Sequence, residues 1–246
     1  MPRILNVASY RFTPLPDATA LRQNLFARAA ALHVKGTLLL ADEGINLSLA
    51  APEPALRRFM AELQADERFA GLPLKESFSD TLPFRRLRVK LKREIIRMDR
   101  PSIQPAAGRA SAIDAHTLAR WLVAGHCDEG RPVLLLDTRN GFEVDAGAFE
   151  GALDWRLDKF SDFPAALASH RADLEGKTVV SYCTGGIRCE KAALVMSQAG
   201  VEHVHQLDGG ILKYFEDLPA APCWRGRCFV FDERVALGPD LEPSAP

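Results

Sequence analysis

From its amino end the chain alternates strand-like runs with amphipathic helical ones. Ile4-Leu5-Asn6-Val7-Ala8-Ser9-Tyr10 has strand character, and Pro14 and Pro16 break it. Leu21, Leu25, Ala29 and Leu32 then recur at helical spacing behind Asp17, a residue type that caps helix N-termini. Gly36 ends that helix. Thr37-Leu38-Leu39-Leu40 and Ile45-Asn46-Leu47-Ser48-Leu49 flank an Asp42-Glu43-Gly44 turn as a hairpin. Pro54 opens a second helix with Leu56, Phe59, Met60 and Leu63 on one face, and Leu74 to Phe78 is again strand-like. The order βαββαβ predicts a ferredoxin-like or acylphosphatase-like α+β sandwich over residues 1–100.

Next comes Arg85-Arg86-Leu87-Arg88-Val89-Lys90-Leu91-Lys92-Arg93. Strand alternation puts Arg86, Arg88, Lys90 and Lys92 on one face and Leu87, Val89 and Leu91 on the other. Lysine-rich edges also serve simply to keep a sheet from aggregating. The proline-bearing stretch 101–110 reads as a linker. Beyond it the pattern changes. Asp114 precedes a helical face of Leu118, Trp121 and Leu122, and Val133 to Leu136 is the continuous apolar run of a buried parallel strand. Two further strands fall at 177–182 and 203–207. Strands alternating with helices predict a parallel α/β domain over 111–220, followed by a Pro-rich, frayed tail over 221–246. In such sheets the active crevice lies at the strand C-termini, where Cys183 and Asp137-Thr138-Arg139 fall.

Composition supports this outline and adds one asymmetry. The 246 residues are 47% hydrophobic, enough for two ordinary cores, and no apolar run approaches the ~18 residues of a membrane span. Met1-Pro2-Arg3-Ile4 leads straight into a strand without a signal-peptide pattern, and five cysteines form no regular framework; both suit the reducing cytoplasm. The net charge of −1 hides a split: residues 1–104 hold 17 Lys and Arg against 11 Asp and Glu, and residues 105–246 hold 14 against 21. A basic first half suits a polyanionic partner.

The chemistry concentrates at Val179-Val180-Ser181-Tyr182-Cys183-Thr184-Gly185-Gly186-Ile187-Arg188-Cys189-Glu190-Lys191. A strand ends at Cys183, two glycines let several backbone N–H groups turn inward, and a helix starts near Arg188. Amide dipoles, a helix N-terminus and a fixed cation all favour the thiolate, the reactive form of cysteine. A buried, inert thiol is the competing reading. The surrounding Thr184, Gly185, Gly186, Ile187 and Arg188 favour Cys183 as a nucleophile.

Cys183 to Arg188 resembles the six-residue active loop of rhodanese-type sulfurtransferases. Leu134-Leu135-Leu136-Asp137-Thr138-Arg139, with Glu143 and Gly147-Ala148-Phe149-Glu150-Gly151-Ala152, resembles the first signature of that family, and Gln206-Leu207-Asp208-Gly209-Gly210-Ile211 its last. Ala148 departs from it, since most rhodaneses carry histidine there. Ala41-Asp42-Glu43-Gly44-Ile45-Asn46, the nine residues from Cys183, and Cys223-Trp224-Arg225-Gly226-Arg227-Cys228-Phe229-Val230-Phe231-Asp232-Glu233-Arg234 are similar to the tRNA uridine 34 hydroxylases within that superfamily. The resemblance implies a rhodanese-like C-terminal fold and oxygen-dependent hydroxylation of uridine 34, in the tRNA anticodon, to 5-hydroxyuridine. Molecular oxygen is then a co-substrate, and no other cofactor is evident. Cys183 either adds to the base or carries a persulfide.

The remaining candidates stay open between structure and function. Asp137 and Arg139 suit loop anchoring as well as catalysis. Arg188 suits an internal ion pair as well as an anion contact. Cys189 suits packing as well as a resolving disulfide. Glu43 and Asn46 suit a turn as well as a site. Arg86, Arg88, Lys90 and Lys92, with Trp224, Arg225 and Arg227, are candidate RNA contacts, because cations meet phosphates and aromatic or arginine planes stack on bases. Cys223 and Cys228 lack the second ligand pair that a zinc site needs, so no metal is expected. A plain sulfurtransferase using a Cys183 persulfide is the alternative activity, and it leaves the basic first half unexplained. A cysteine phosphatase needs Cys-x₅-Arg, one residue more than this loop has. A non-enzymatic RNA-binding module leaves the intact Cys183 unexplained.

Overall fold

A computed structural model describes residues 3–243; Met1 and Pro2, and residues 244–246 of the expected tail, lie outside it. The chain divides into two compact units. One runs up to Arg97 and includes Phe231–Arg234; the other comprises Met98–Val230 and the residues from Val235 onward.

The first unit contains β1 (Ile4–Phe12), α1 (Ala18–Ala31), β2 (Lys35–Ala41), β3 (Gly44–Pro52), α2 (Glu53–Gln64), β4 (Lys75–Ser79) and β5 (Leu87–Leu91). The sheet order is β4-β1-β3-β2-β5, with β5 parallel to β2 and the other pairs antiparallel. Period-two alternation sends Leu5, Val7, Leu38, Leu40, Leu47 and Leu49 to one face. There they pack with Leu25, Phe59 and Leu63 from the two helices. This is the sandwich expected from the apolar pattern.

Local details differ from the sequence reading. Asp17 stands at the N-cap of α1 but makes no side-chain capping bond, because its carboxylate pairs with Arg68. Leu91 is 42% exposed, whereas Val89 is buried: Leu91 ends an edge strand that has a neighbour on one side only. Residues 231–234 belong to this unit through a short strap. Arg234 forks onto Asp232 (2.6 Å) and donates to Ser77 Oγ (2.7 Å), while Glu233 N–H donates to the Pro83 carbonyl (3.0 Å).

The second unit contains β6 (Ser111–Ile113), α3 (Ala115–Ala124), β7 (Val133–Asp137), α4 (Gly141–Ala146), β8 (Gly147–Phe149), β9 (Leu153–Asp154), α5 (Phe163–His170), β10 (Thr178–Tyr182), α6 (Ile187–Gln198), β11 (Val204–Leu207) and α7 (Gly210–Asp217). Three short strands follow, β12 (Trp224–Gly226), β13 (Cys228–Phe229) and β14 (Ala236–Leu237). The main sheet is parallel throughout, in the order β6-β11-β10-β7-β9. Every residue of its central strand β10 is buried, the polar Thr178 and Ser181 included, as a strand covered on both faces requires. Asp114 caps α3, accepting from Thr117 N–H at 2.7 Å.

The segment read as a frayed tail is packed, while the linker is mostly exposed with two buried anchors. Ile103 and Pro105 are buried. β12 pairs with β8, β13 pairs with β14, and Cys228 and Leu237 lie in the interior. The segment 221–243 is therefore structural: Ala221, Cys228, Val230 and Leu237 are buried, although Phe231 and Val235 stay exposed.

Candidate active site around Cys183

The register of the parallel sheet builds the site. Tyr182, last in β10, stands beside Asp137, last in β7. Both chains therefore leave the sheet at the same C-terminal edge, β10 into Cys183 and β7 into Thr138-Arg139. The loop then turns through Gly186, whose φ of 94° lies in the left-handed region that glycine accepts without strain. α6 begins at Ile187. Gly186 N–H donates to Cys183 Sγ at 3.1 Å.

The start of α7 closes the loop from the other side. Ile211 N–H donates to the Cys183 carbonyl (3.0 Å) and Leu212 N–H to the Thr184 carbonyl (3.1 Å). Gly210 makes this approach possible: a Cβ there would lie 2.4 Å from the Cys183 carbonyl oxygen and 2.7 Å from Gly186 N. The Gly209-Gly210 signature is thus a steric requirement of the cysteine loop.

Cys183 is fully buried. Burial alone opposes a thiolate. The Cys189 thiol, the Arg188 charge and the backbone amides of Arg188 and Gly186 outweigh it, and the Cys183 thiol is drawn below the ordinary range. Cys189, equally buried, is pushed the other way by burial and by its neighbour's charge, so it remains a protonated donor. Its Sγ lies 3.6 Å from Thr138 Oγ1, which is also 2.9 Å from the Tyr182 carbonyl.

Arg188 is held by a carboxylate. Its two terminal nitrogens donate to both oxygens of Glu143 at 2.6 and 2.7 Å, with Glu143 wholly buried. Glu143 also accepts from Asn140 N–H (3.0 Å) and from Thr184 Oγ1 (3.5 Å). One carboxylate therefore fixes the first turn of α4, the loop residue after Cys183 and the cation beside the thiolate. The ion-pair alternative for Arg188 is the one present. Glu143 entered the sequence reading only as part of a signature. The spacing Asn140-x-x-Glu143, a helix-start pattern, was the local signal for it.

Asp137 and Arg139 form a buried fork at 2.6 and 2.9 Å, and Arg139 also donates to the Gly147 carbonyl at 2.7 Å. They join β7 to β8 and do not face the sulfur as free groups. Trp224 is no open stacking plane: its ring packs edge-on against Phe149 (5.1 Å) and Phe215 (5.4 Å) because β12 pairs with β8. Arg225 is exposed and paired with Glu150 (2.6 Å), and Arg227 is exposed. Cys228 is buried near the loop, and burial pushes its thiol up to about 12. In the first unit, Glu43 accepts from Ile95 N–H (2.7 Å) and Asn46 donates to the Ile95 carbonyl (3.0 Å), so the pair clasps one residue's backbone. Arg86, Arg88, Lys90 and Lys92 are exposed along β5 and its ends. Among the described residues, no group of three or more His, Cys, Asp or Glu side chains could hold a metal, and no helix is long and apolar enough to cross a membrane.

A parallel sheet with a thiolate loop at its C-terminal edge defines a rhodanese-like domain, and the family of that description, Rhodanese-like domain, matches residues 118–217. The family described as UPF0176 acylphosphatase like domain matches residues 4–95. Whole-chain relatives narrow the class. Proteins named tRNA uridine(34) hydroxylase are 62% identical in Delftia acidovorans (98% of this chain, 91% of the relative) and 60% in Bordetella petrii (99% and 96%). One in Variovorax paradoxus is 62% identical (100% and 93%). The chain belongs to the tRNA uridine(34) hydroxylase family.

Proposed function

We propose that this protein hydroxylates uridine 34, in the anticodon of tRNA, to 5-hydroxyuridine, with molecular oxygen as co-substrate and Cys183 as nucleophile. Such a reaction belongs in the cytoplasm. The observation that carries the chemistry is the Cys183 sulfur, which accepts from Gly186 N–H at 3.1 Å beside a guanidinium locked by Glu143. A thiolate adds to carbon 6 of uracil, and the electron pair displaced from the C5–C6 double bond makes carbon 5 nucleophilic; carbon 5 takes up one atom of dioxygen, while a two-electron donor from solution, such as a pair of thiols, supplies the electrons that reduce the other atom to water. Loss of the C5 proton then restores the double bond as the C–S bond breaks and its electron pair returns to sulfur. Arg188 steadies the sulfur's charge whenever it is free.

The four exposed cations of β5 support an RNA substrate. Arg88 and Lys90 project from alternate positions of the strand, about 6.6 Å apart and close to the spacing of backbone phosphates, and Arg86 and Lys92 flank its two ends.

The test is nucleoside mass spectrometry of tRNA from a deletion strain carrying the wild-type gene or Cys183→Ser. We expect 5-hydroxyuridine and its derivatives with the first and none with the second. Their persistence in the Cys183→Ser strain rejects the nucleophile. Loss of thiolated bases instead assigns the protein to sulfur transfer through a persulfide.

A further inference from the structure

We propose that Phe142 is the aromatic platform on which the target pyrimidine stacks while it is presented to Cys183. This assignment rests on the hydroxylation reading above and adds to it the residue that receives the base.

Phe142 is a large apolar side chain left 49% exposed at the rim of a catalytic loop. It is the second residue of α4, next to Glu143, whose carboxylate holds Arg188 and contacts Thr184. Its ring meets Phe229 edge-to-face, with centroids 5.1 Å apart. The carbonyl of Phe229, 3.4 Å from Thr184 Oγ1, is the alternative acceptor to Glu143 for that hydroxyl's single proton. Thr184, the residue that follows the nucleophile, thus touches Glu143, the chain neighbour of Phe142, and the backbone of Phe229, the ring partner of Phe142.

The reaction needs such a surface. A base in an anticodon loop is stacked on its neighbours, and bringing carbon 6 to a thiolate means pulling it out of that stack. Enzymes that act on single bases offset the missing stacking with aromatic or apolar side chains. Uracil is neutral and flat, so an aromatic ring replaces what it gives up without a charge. The platform is also stiff. The first turn of α4 is tied to the loop by the buried Glu143–Arg188 fork, and a stacked base is thereby held in register with the sulfur. Cys183 is fully buried, so a base meets Sγ only when its surroundings move, and Phe142 is a half-exposed ring on the helical turn that Glu143 ties to the loop. Trp224, a stacking candidate from the sequence, is half-buried with its ring against Phe149 and Phe215, and Phe142 is the more exposed ring.

The experiment uses the full chain and an anticodon stem-loop carrying uridine 34. Phe142→Leu keeps the apolar bulk and removes the ring; we expect kcat/KM for 5-hydroxyuridine formation to fall about 10-fold or more. Phe142→Trp and Phe142→Tyr keep a ring and should stay within about 3-fold of wild type, since every base presents a π-face to an aromatic partner. Iodoacetamide labelling of Cys183 at wild-type rate in the Leu variant shows that the loop is intact. In Phe142→Trp, the added indole emission should be quenched by the uridine 34 stem-loop and not by one abasic at that position. A Phe142→Leu variant as active as wild type, or equal quenching by the abasic RNA, overturns the proposal. If the wild-type chain makes no 5-hydroxyuridine at all, the hydroxylation reading fails instead, and that result is distinct from either of these.

Discussion

Two regions of this chain, the cysteine loop and strand β5, handle charge in opposite ways. In the second unit the charged groups nearest the site are turned inward and paired: Arg188 with Glu143, Arg139 with Asp137, and Glu190 with Arg109 and Gln206. In the first unit Arg86, Arg88, Lys90 and Lys92 point outward and have no ion-pair partner among the described residues. Buried pairs cost desolvation and return fixed geometry, so they suit a loop that must hold one sulfur in place. Exposed cations cost little and hold no geometry, but they attract a polyanion and respond to salt. The charges of the loop are fixed in place, and those along β5 face solvent.

The sharpest way to break this contrast is to unpair a buried charge. Glu143→Gln leaves Arg188 charged without a carboxylate and weakens the hydrogen bonds to Asn140 and Thr184. Loss of one partner of a buried pair costs about 3–5 kcal/mol, and we expect a destabilisation of that order in chemical denaturation. Hydroxylation should fall far more than RNA affinity. A Glu143→Gln protein with unchanged stability would show that the fork is no positional device.

The outward cations call for the complementary experiment. Changing Arg86, Arg88, Lys90 and Lys92 together to Gln should flatten the salt dependence of tRNA binding. The slope of log K against log salt should shrink by about 0.7–0.9 for each phosphate that is no longer neutralised, and so by up to roughly 3. The pH profile of Cys183 alkylation should not move. An unchanged salt slope would return these residues to the role of edge protection.

The two styles of charge also differ in how far the sequence reveals them. Strand alternation alone put Arg86, Arg88, Lys90 and Lys92 on one exposed face, because a period of two is local information. The cysteine loop was legible for the same reason: strand, glycines and helix start lie within a dozen consecutive residues. The partnerships were not legible. Glu143 and Arg188 are 45 residues apart and meet only through the register of β7 and β10. Asp17 has the right residue type for a helix cap and pairs instead with Arg68, 51 residues on. The two- and three-residue strands β6, β8, β9, β12, β13 and β14 are too short to show a period, so the packed segment 221–243 read as a tail. Trp224 read as a stacking residue because composition says nothing of its packing against Phe149.

The smallest expected effect tests the boundary between position and charge inside the site itself. Cys189 is buried and protonated, and its S–H has two candidate acceptors, Thr138 Oγ1 at 3.6 Å and the Cys183 sulfur. Towards Cys183 it is one of the groups that offset the burial of the thiolate. Cys189→Ala then removes a hydrogen bond to a charged acceptor. Such a bond is worth about 1.5–3 kcal/mol, and S–H is a weak donor, so the Cys183 titration should rise by about one pH unit. The sign follows from the charge: a less stabilised anion binds its proton more tightly. Below the new midpoint alkylation of Cys183 slows, and above it the wild-type rate returns. Cys189→Ser, which keeps a donor, should restore the lower midpoint. If Ala and Ser variants titrate alike and match wild type, the S–H points at Thr138, and the amides with Arg188 hold the charge unaided.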